Sequence, residues 1–135
     1  MSKKAGIVLL HSHLTPGWQG MSQEDVDTER STAPSVLGET GLPLLGLTMG
    51  TDGALSARLW IRVGRLKYER RWCGSVRVVG DEFDVTFMED LAPTPRFKEV
   101  LKRTYSAWGA EKQHMLARLH CGVVGIGSVG AIVAE

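Results

Sequence analysis

Four polar residues near the start of the chain have the types and spacing of a catalytic metal site. His11 and His13 flank one serine at the end of an apolar run, and Ser22 and Asp25 follow a loop over 14–21 that is rich in glycine and proline. Alternate residues of a strand point to the same face, so both imidazoles are expected to project in one direction. Two imidazoles and a carboxylate supply the three protein ligands of a catalytic zinc site, which keeps a fourth position for water.

The same residues also have a purely structural interpretation. Ser22 followed three residues later by Asp25 is the pattern of a helix N-cap, with the carboxylate near the positive end of the helix. In the metal interpretation, His11, His13 and Asp25 bind Zn²⁺, and the Ser22 hydroxyl stabilises a developing oxyanion or orients the water. In the structural interpretation, Ser22 and Asp25 only begin the helix. Residue types alone leave both interpretations open.

The surrounding sequence predicts the elements that must hold these residues. The apolar, β-branched run over 5–11 predicts a buried strand, and a helix is predicted to begin after Ser22. We expect Pro34 to break or kink this helix, because proline lacks the amide donor that a helix interior needs. A second helical piece is then expected to end near Gly38 or Gly41.

The remaining chain predicts strands followed by a helical region. Strands are predicted over residues 42–50, 54–63, 68–73, 75–79 and 83–87. A turn at Thr51-Asp52-Gly53 joins the first two of these strands. The prolines of 91–97 interrupt the pattern, and apolar spacing predicts an amphipathic helix over 98–119, interrupted at Gly109.

Composition excludes several classes of partner and location. Sixteen basic and fifteen acidic residues nearly balance, so the chain lacks the charge expected for binding nucleic acid or an anionic membrane. No stretch approaches the roughly 20 apolar residues of a membrane span. Cys73 and Cys121 lack paired spacing, which favours reduced thiols. We therefore expect a cytoplasmic protein with no nucleic-acid or membrane partner.

The segment "HSHLTPGWQGMSQED" resembles the metal-binding motif of JAMM (JAB/MPN-type) metalloproteases, which consists of HxH, a spacer and SxxD. The segment "GLPLLGLTMGTDGALSARLW" is also similar to the one that follows this motif in bacterial members. The resemblance implies that His11, His13 and Asp25 bind Zn²⁺, with Ser22 near the oxyanion. It further implies a zinc-dependent isopeptidase or processing peptidase whose partner is a ubiquitin-like protein or its conjugate.

Two features depart from the JAMM pattern. The spacer over 14–21 has eight residues where the family usually has seven, a difference that a glycine-rich loop can absorb. The family's catalytic base is a glutamate on a strand upstream of HxH, whereas "MSKKAGIVLL" contains no acidic residue. Loss of a general base lowers activity by about 10²–10⁴-fold. We therefore expect impaired catalysis, with a non-catalytic zinc-binding module as the alternative.

The end of the chain carries a second motif. Gly125, Gly127 and Gly130 form GxGxxG between an apolar run and an alanine-rich segment. The segment resembles the opening of ThiF-type adenylyltransferases, a Rossmann family related to ubiquitin-activating enzymes. This implies that the three glycines bind the nucleotide and that ATP is a cofactor only of a complete parent protein, whose activity would be adenylation. The alternative is a glycine-rich loop between two buried apolar elements.

Together these features predict a mixed α/β chain cut from a JAMM–ThiF fusion or produced by a truncated reading frame. We expect a JAB/MPN-like sheet with flanking helices, a linker helix, and the first strand of a truncated Rossmann-like domain. The corresponding ranges are 1–90 for a partial JAMM domain, 91–118 for the linker helix region and 119–135 for the incomplete ThiF-type domain. Exposed sheet edges would favour self-association.

Overall fold

The computed structural model describes residues 5–119, which form two compact units divided between Pro93 and Thr94. The first unit combines a four-stranded sheet, a two-stranded sheet and one long helix, and the described part of the second unit is helical. The predicted mixed α/β class is therefore confirmed. The range predicted to begin a ThiF-type domain lies almost entirely outside the described residues.

The four-stranded sheet has the order β1-β2-β3-β4. These strands are β1 (Val8–Ser12), β2 (Leu44–Met49), β3 (Leu55–Gly64) and β4 (Lys67–Trp72). Strand β1 pairs with β2 in parallel, whereas β2–β3 and β3–β4 are antiparallel. A parallel pair needs a crossover connection, which the helix between β1 and β2 supplies. Among the described strands, β1 and β4 form the edges of this sheet. The prediction that β1 is buried is therefore wrong in part, since Val8 and Leu10 on its outer face are exposed.

Helix α1 (Gln23–Thr40) forms the crossover. Its start at Ser22 and its end at Gly41, where φ is 70°, confirm the predicted boundaries. The expected break at Pro34 and the separate helical piece after it are wrong, because one helix continues through this residue, and the alternative of a kink stays a prediction. Ala33 and Val36, on either side of the proline, are buried, so packing holds the helix together across the missing amide.

The core lies between α1 and the sheet. Ala33 and Val36 of the helix pack with Leu44 of β2 and Trp60 of β3, and all four are buried. Leu9, Val26 and Tyr68 surround this cluster and are partly buried. This packing holds α1 against one face of the sheet, and Leu9 of β1 projects from that same face into the core.

The two predicted hairpins are confirmed. Gly53 has φ of 82° in the turn between β2 and β3, where a side chain would be strained. Strands β5 (Ser75–Val79) and β6 (Phe83–Phe87) pair in an antiparallel two-stranded sheet.

The second unit contains a 3₁₀ turn over Glu99–Leu101, α2 (Lys102–Trp108) and α3 (Ala110–Ala117). Gly109, with φ of 87°, separates the two helices, as the sequence predicts. Across the described residues, each helix falls short of the length and apolarity that a membrane span requires.

Candidate metal centre

Strand β1 brings the two histidines to the same face. His11 pairs with Thr48 of β2 in the parallel register, and His13 follows the strand, where its amide donates to the Met49 carbonyl at 2.9 Å. Their ring centroids lie 5.0 Å apart. Both side chains are partly buried, whereas Ser12 between them is exposed. The expected common direction of the imidazoles is therefore confirmed.

The start of α1 places the carboxylate. The Ser22 hydroxyl accepts a hydrogen bond from the Asp25 amide at 3.1 Å, and the Ser22 amide donates back to Asp25 Oδ2 at 2.9 Å. These two bonds form a capping box, in which each side chain satisfies the other residue's backbone amide. The Ser22 hydroxyl also donates to Asp25 Oδ2 at 2.8 Å. Local capping thus orients the Asp25 carboxylate.

Asp25 and the two histidines converge. Asp25 Oδ1 lies 3.5 Å from His11 Nε2, and Asp25 Oδ2 lies 3.3 Å from His13 Nε2. One ligand atom from each of the three residues falls within 4.8 Å of the others. These are the three candidate ligands that the sequence analysis identifies, and the fold brings them together from β1 and the start of α1.

The donor set and its spacing fit a small divalent ion. Bonds of about 2.1 Å to nitrogen and oxygen in a tetrahedral zinc site imply ligand–ligand distances of about 3.4 Å. The two nitrogen–oxygen distances of 3.5 and 3.3 Å are of this size, but they end on different oxygens of Asp25, so they show a carboxylate that faces both imidazoles and do not define the edges of one tetrahedron. His11, His13 and Asp25 therefore could hold a metal ion, and two imidazoles with one carboxylate suit zinc among several divalent ions.

Hydrogen bonds set the ionisation of the carboxylate. Burial raises the pKa of Asp25, but hydrogen bonds from the Ser22 hydroxyl and amide and the electrostatic interaction with His11 lower it more. The net pKa lies below the usual value for an aspartate. Asp25 is therefore anionic at neutral pH, which is the form that binds a metal ion.

The loop between the histidines and α1 is held by residues that the sequence reasoning missed. The Gln19 amide group is buried and donates to the carbonyls of Thr15, Pro16 and Gly17 at 2.8–2.9 Å. Both Asp52 carboxylate oxygens lie 3.0 Å from the Gly17 amide nitrogen that donates to them. Hydrogen bonds from backbone amides, that of Gly17 above all, hold the pKa of the Asp52 carboxyl below its usual value. The Thr51-Asp52-Gly53 turn thus anchors this loop.

A buried polar array beneath the site was also missed. Arg58 of β3 forms an ion pair with Glu29 of α1, and Trp60 Nε1 donates to the same carboxylate at 2.7 Å. Arg58 Nη1 also donates to Thr48 Oγ1, which lies 3.3 Å from His11 Nε2. Arg58 inside the apolar pattern of β3 was the available signal, but its pairing with Glu29 of α1 depends on contacts distant in the sequence.

A cleft of about 300 Å³ adjoins the candidate ligands. His11, Asp25, Glu24 and Leu10 are among its lining residues. Glu24 and Leu10 are exposed, so the cleft is open to solvent beside β1. The cleft can therefore admit a substrate to His11 and Asp25, two of the three converging side chains.

Comparison with other proteins leaves the family open. No known protein family, no curated protein and no solved structure matches the chain. The JAMM and ThiF-type resemblances therefore stay hypotheses. Gly125, Gly127 and Gly130 lie outside the described residues, so their nucleotide-binding role stays a prediction.

Proposed function

We propose that the chain carries the metal site of a zinc-dependent hydrolase of JAB/MPN type, acting as an isopeptidase or processing peptidase. The observation that carries this proposal is the convergence of His11, His13 and Asp25 within 4.8 Å. The order and spacing of these residues, which resemble the JAMM motif, add the reaction class. The resemblance adds a ubiquitin-like protein or its conjugate as the substrate.

Each residue has a role that its position supports. His11 and His13 would supply imidazole nitrogen ligands from one strand face, and Asp25 would supply an anionic oxygen ligand. A bound zinc ion would lower the pKa of a water molecule and polarise the scissile carbonyl. The Ser22 hydroxyl donates to Asp25 Oδ2 at 2.8 Å and so orients that carboxylate; to stabilise an oxyanion, as the resemblance implies, it would have to turn its single proton from Asp25 to the substrate.

The rate of hydrolysis by this chain would depend on whether a side chain is available to act as the general base. Residues 1–10 contain no carboxylate. Two glutamates line the cleft, but Glu29 is occupied by Arg58 and Trp60. Glu24 is exposed beside the cleft and adjacent to Asp25. We therefore propose weak hydrolysis by this chain, and the engagement of Glu29 favours a non-catalytic zinc-binding module as the second candidate.

Metal analysis tests the site. The protein is saturated with Zn²⁺, dialysed and analysed for zinc, alongside His13→Ala and the matched control His114→Ala, whose histidine lies on α3 in the other unit. We expect about one zinc per chain in the wild type and the control, and a loss in His13→Ala. Equal zinc content in all three proteins would refute the site.

A cleavage assay separates the two candidate functions. A fluorogenic amide of a ubiquitin-like modifier is incubated with the zinc-loaded chain, with and without an added N-terminal strand that carries a glutamate. Restoration of cleavage by the added strand supports the peptidase. Zinc binding without cleavage in either form supports the binding module.

A further inference from the structure

In the buried array beneath the candidate site, every guanidinium nitrogen of Arg58 donates a hydrogen bond. Arg58 is 0% exposed and Glu29 is 2% exposed. Arg58 Nε donates to Glu29 Oε2 at 3.0 Å, Nη2 donates to Oε1, and Trp60 Nε1 donates to Oε2 at 2.7 Å. A buried ion pair is stable in a protein only when such bonds satisfy both charges. The guanidinium is therefore held in one orientation.

Arg58 Nη1, the guanidinium nitrogen that donates to no oxygen of Glu29, determines the direction in which the buried Thr48 hydroxyl donates its proton. Arg58 Nη1 donates to Thr48 Oγ1, because a guanidinium has only donors. Thr48 is 0% exposed and must place its single hydroxyl proton on another acceptor. His11 Nε2 lies 3.3 Å from this oxygen, across the parallel register of β1 and β2. The Thr48 hydroxyl therefore donates to His11 Nε2.

A ring nitrogen that accepts a hydrogen bond carries no proton. We infer that Glu29, Arg58 and Thr48 act as positioning residues, which hold metal-free His11 in its Nδ1–H tautomer, with Nε2 unprotonated and its lone pair directed at the Thr48 hydroxyl. A metal ion would have to displace the Thr48 hydroxyl from this lone pair, but Nε2 would already be free of a proton, and that benefit rests on the function proposed above. The tautomer itself is a property of the metal-free protein.

The neighbouring histidine provides an internal contrast. His13 Nε2 lies 3.3 Å from Asp25 Oδ2, and an ionised carboxylate can only accept. His13 therefore carries its proton on Nε2 in the metal-free protein. Asp25 Oδ1 lies 3.5 Å from His11 Nε2, so donation from a protonated His11 Nε2 to Asp25 is the competing arrangement. The inference thus predicts opposite tautomers for the two histidines.

Nitrogen NMR of histidine side chains tests this directly. Metal-free protein labelled with ¹⁵N-histidine is studied at about pH 9, well above the ordinary imidazole pKa of about 6.5. His11→Ala and His13→Ala assign the signals. We expect the Nδ1–H form of His11 to exceed the Nε2–H form at least tenfold, because the alternative leaves a buried hydroxyl without an acceptor. His13 is expected to show the reverse preference.

Variants of the threonine separate positioning from general structure. Thr48→Val should abolish the preference of His11, and Thr48→Ser should retain it because the hydroxyl remains. Ser56→Ala is the matched control: Ser56 is equally buried on β3, and its hydroxyl bonds the Thr48 main-chain oxygen at 3.3 Å. This control should leave the tautomer unchanged. If Thr48→Val does not fold, Thr48→Ala replaces it.

Two results would overturn the inference. One is an Nε2–H His11 in the wild type, and the other is an unchanged tautomer in a folded variant that lacks the hydroxyl. Neither result depends on zinc. A protein with the expected tautomers that fails to bind zinc would refute the proposed function and leave this inference intact.

Discussion

The ion pair between Glu29 and Arg58 joins α1 to the centre of the sheet, and its removal has a calculable cost. Arg58→Met deletes both guanidinium donors to the carboxylate, so that Glu29 keeps only the 2.7 Å bond from Trp60 among its described hydrogen bonds. A buried charge deprived of its partner destabilises a protein by about 3–5 kcal/mol. We expect the free energy of unfolding to fall by this amount.

Urea unfolding followed by tryptophan fluorescence measures this loss, because Trp60 is buried beside the pair. With a slope of about 2 kcal/mol per molar urea, a loss of about 4 kcal/mol lowers the midpoint by about 2 M. Domains of this size have a total stability of about 5–15 kcal/mol, so the variant loses a large share of it.

A second variant distinguishes the unpaired charge from lost packing. Glu29→Gln combined with Arg58→Met removes both charges, while the glutamine carbonyl can still accept from Trp60. We expect this double variant to recover at least half of the loss. Arg62→Met is the control, since Arg62 is exposed on the same strand, and it should stay within about 0.5 kcal/mol of the wild type. A loss below about 1 kcal/mol in Arg58→Met, or no recovery in the double variant, would refute the reasoning.

Three further predictions concern the elements around the site. Gly46→Ala should cost about 1–3 kcal/mol in urea unfolding, because its Cβ would lie 2.5 Å from Glu29 Oε1; an unchanged midpoint would show that the pair can move aside. Ser22→Ala should cost about 1 kcal/mol in thermal unfolding through loss of the N-cap, whereas the exposed Gln23→Ala should not; equal stability of both variants would contradict this. Asp52 has a folded-state pKa below its unfolded value, so its contribution is present above about pH 4 and is lost as pH falls through the folded pKa. The stability difference between wild type and Asp52→Asn should therefore shrink on acidification, and a difference independent of pH would count against the loop anchor.

Local signals predicted the elements that carry the candidate ligands. The serine and aspartate of the capping box lie three residues apart, so the start of α1 follows from nearby sequence. Gly53 likewise marks its turn, because its φ of 82° is accessible to glycine. The prediction of a break at Pro34 was wrong because burial of the neighbouring residues Ala33 and Val36 stabilises α1 by more than the loss of one backbone hydrogen bond costs. The helix propensity of the local sequence does not include this stabilisation by tertiary packing.

The supporting array could not be predicted in the same way. Glu29 and Arg58 are 29 residues apart in the sequence and belong to residue types that are mostly exposed. Only the register of β2 and β3 brings Arg58 opposite Gly46, whose missing side chain leaves space for the pair. The array therefore depends on sheet register and on one glycine, neither of which a linear pattern specifies.

The structural and metal interpretations of Ser22 and Asp25 are compatible. Asp25 Oδ2 accepts bonds from the Ser22 amide and hydroxyl, and these bonds turn the carboxylate back across the helix start. That direction is the one that places Oδ1 3.5 Å from His11 Nε2. A carboxylate has about four acceptor positions, so capping leaves lone pairs free for an ion. The helix cap is thus the physical means by which a flexible aspartate is aimed at the two histidines before any metal binds.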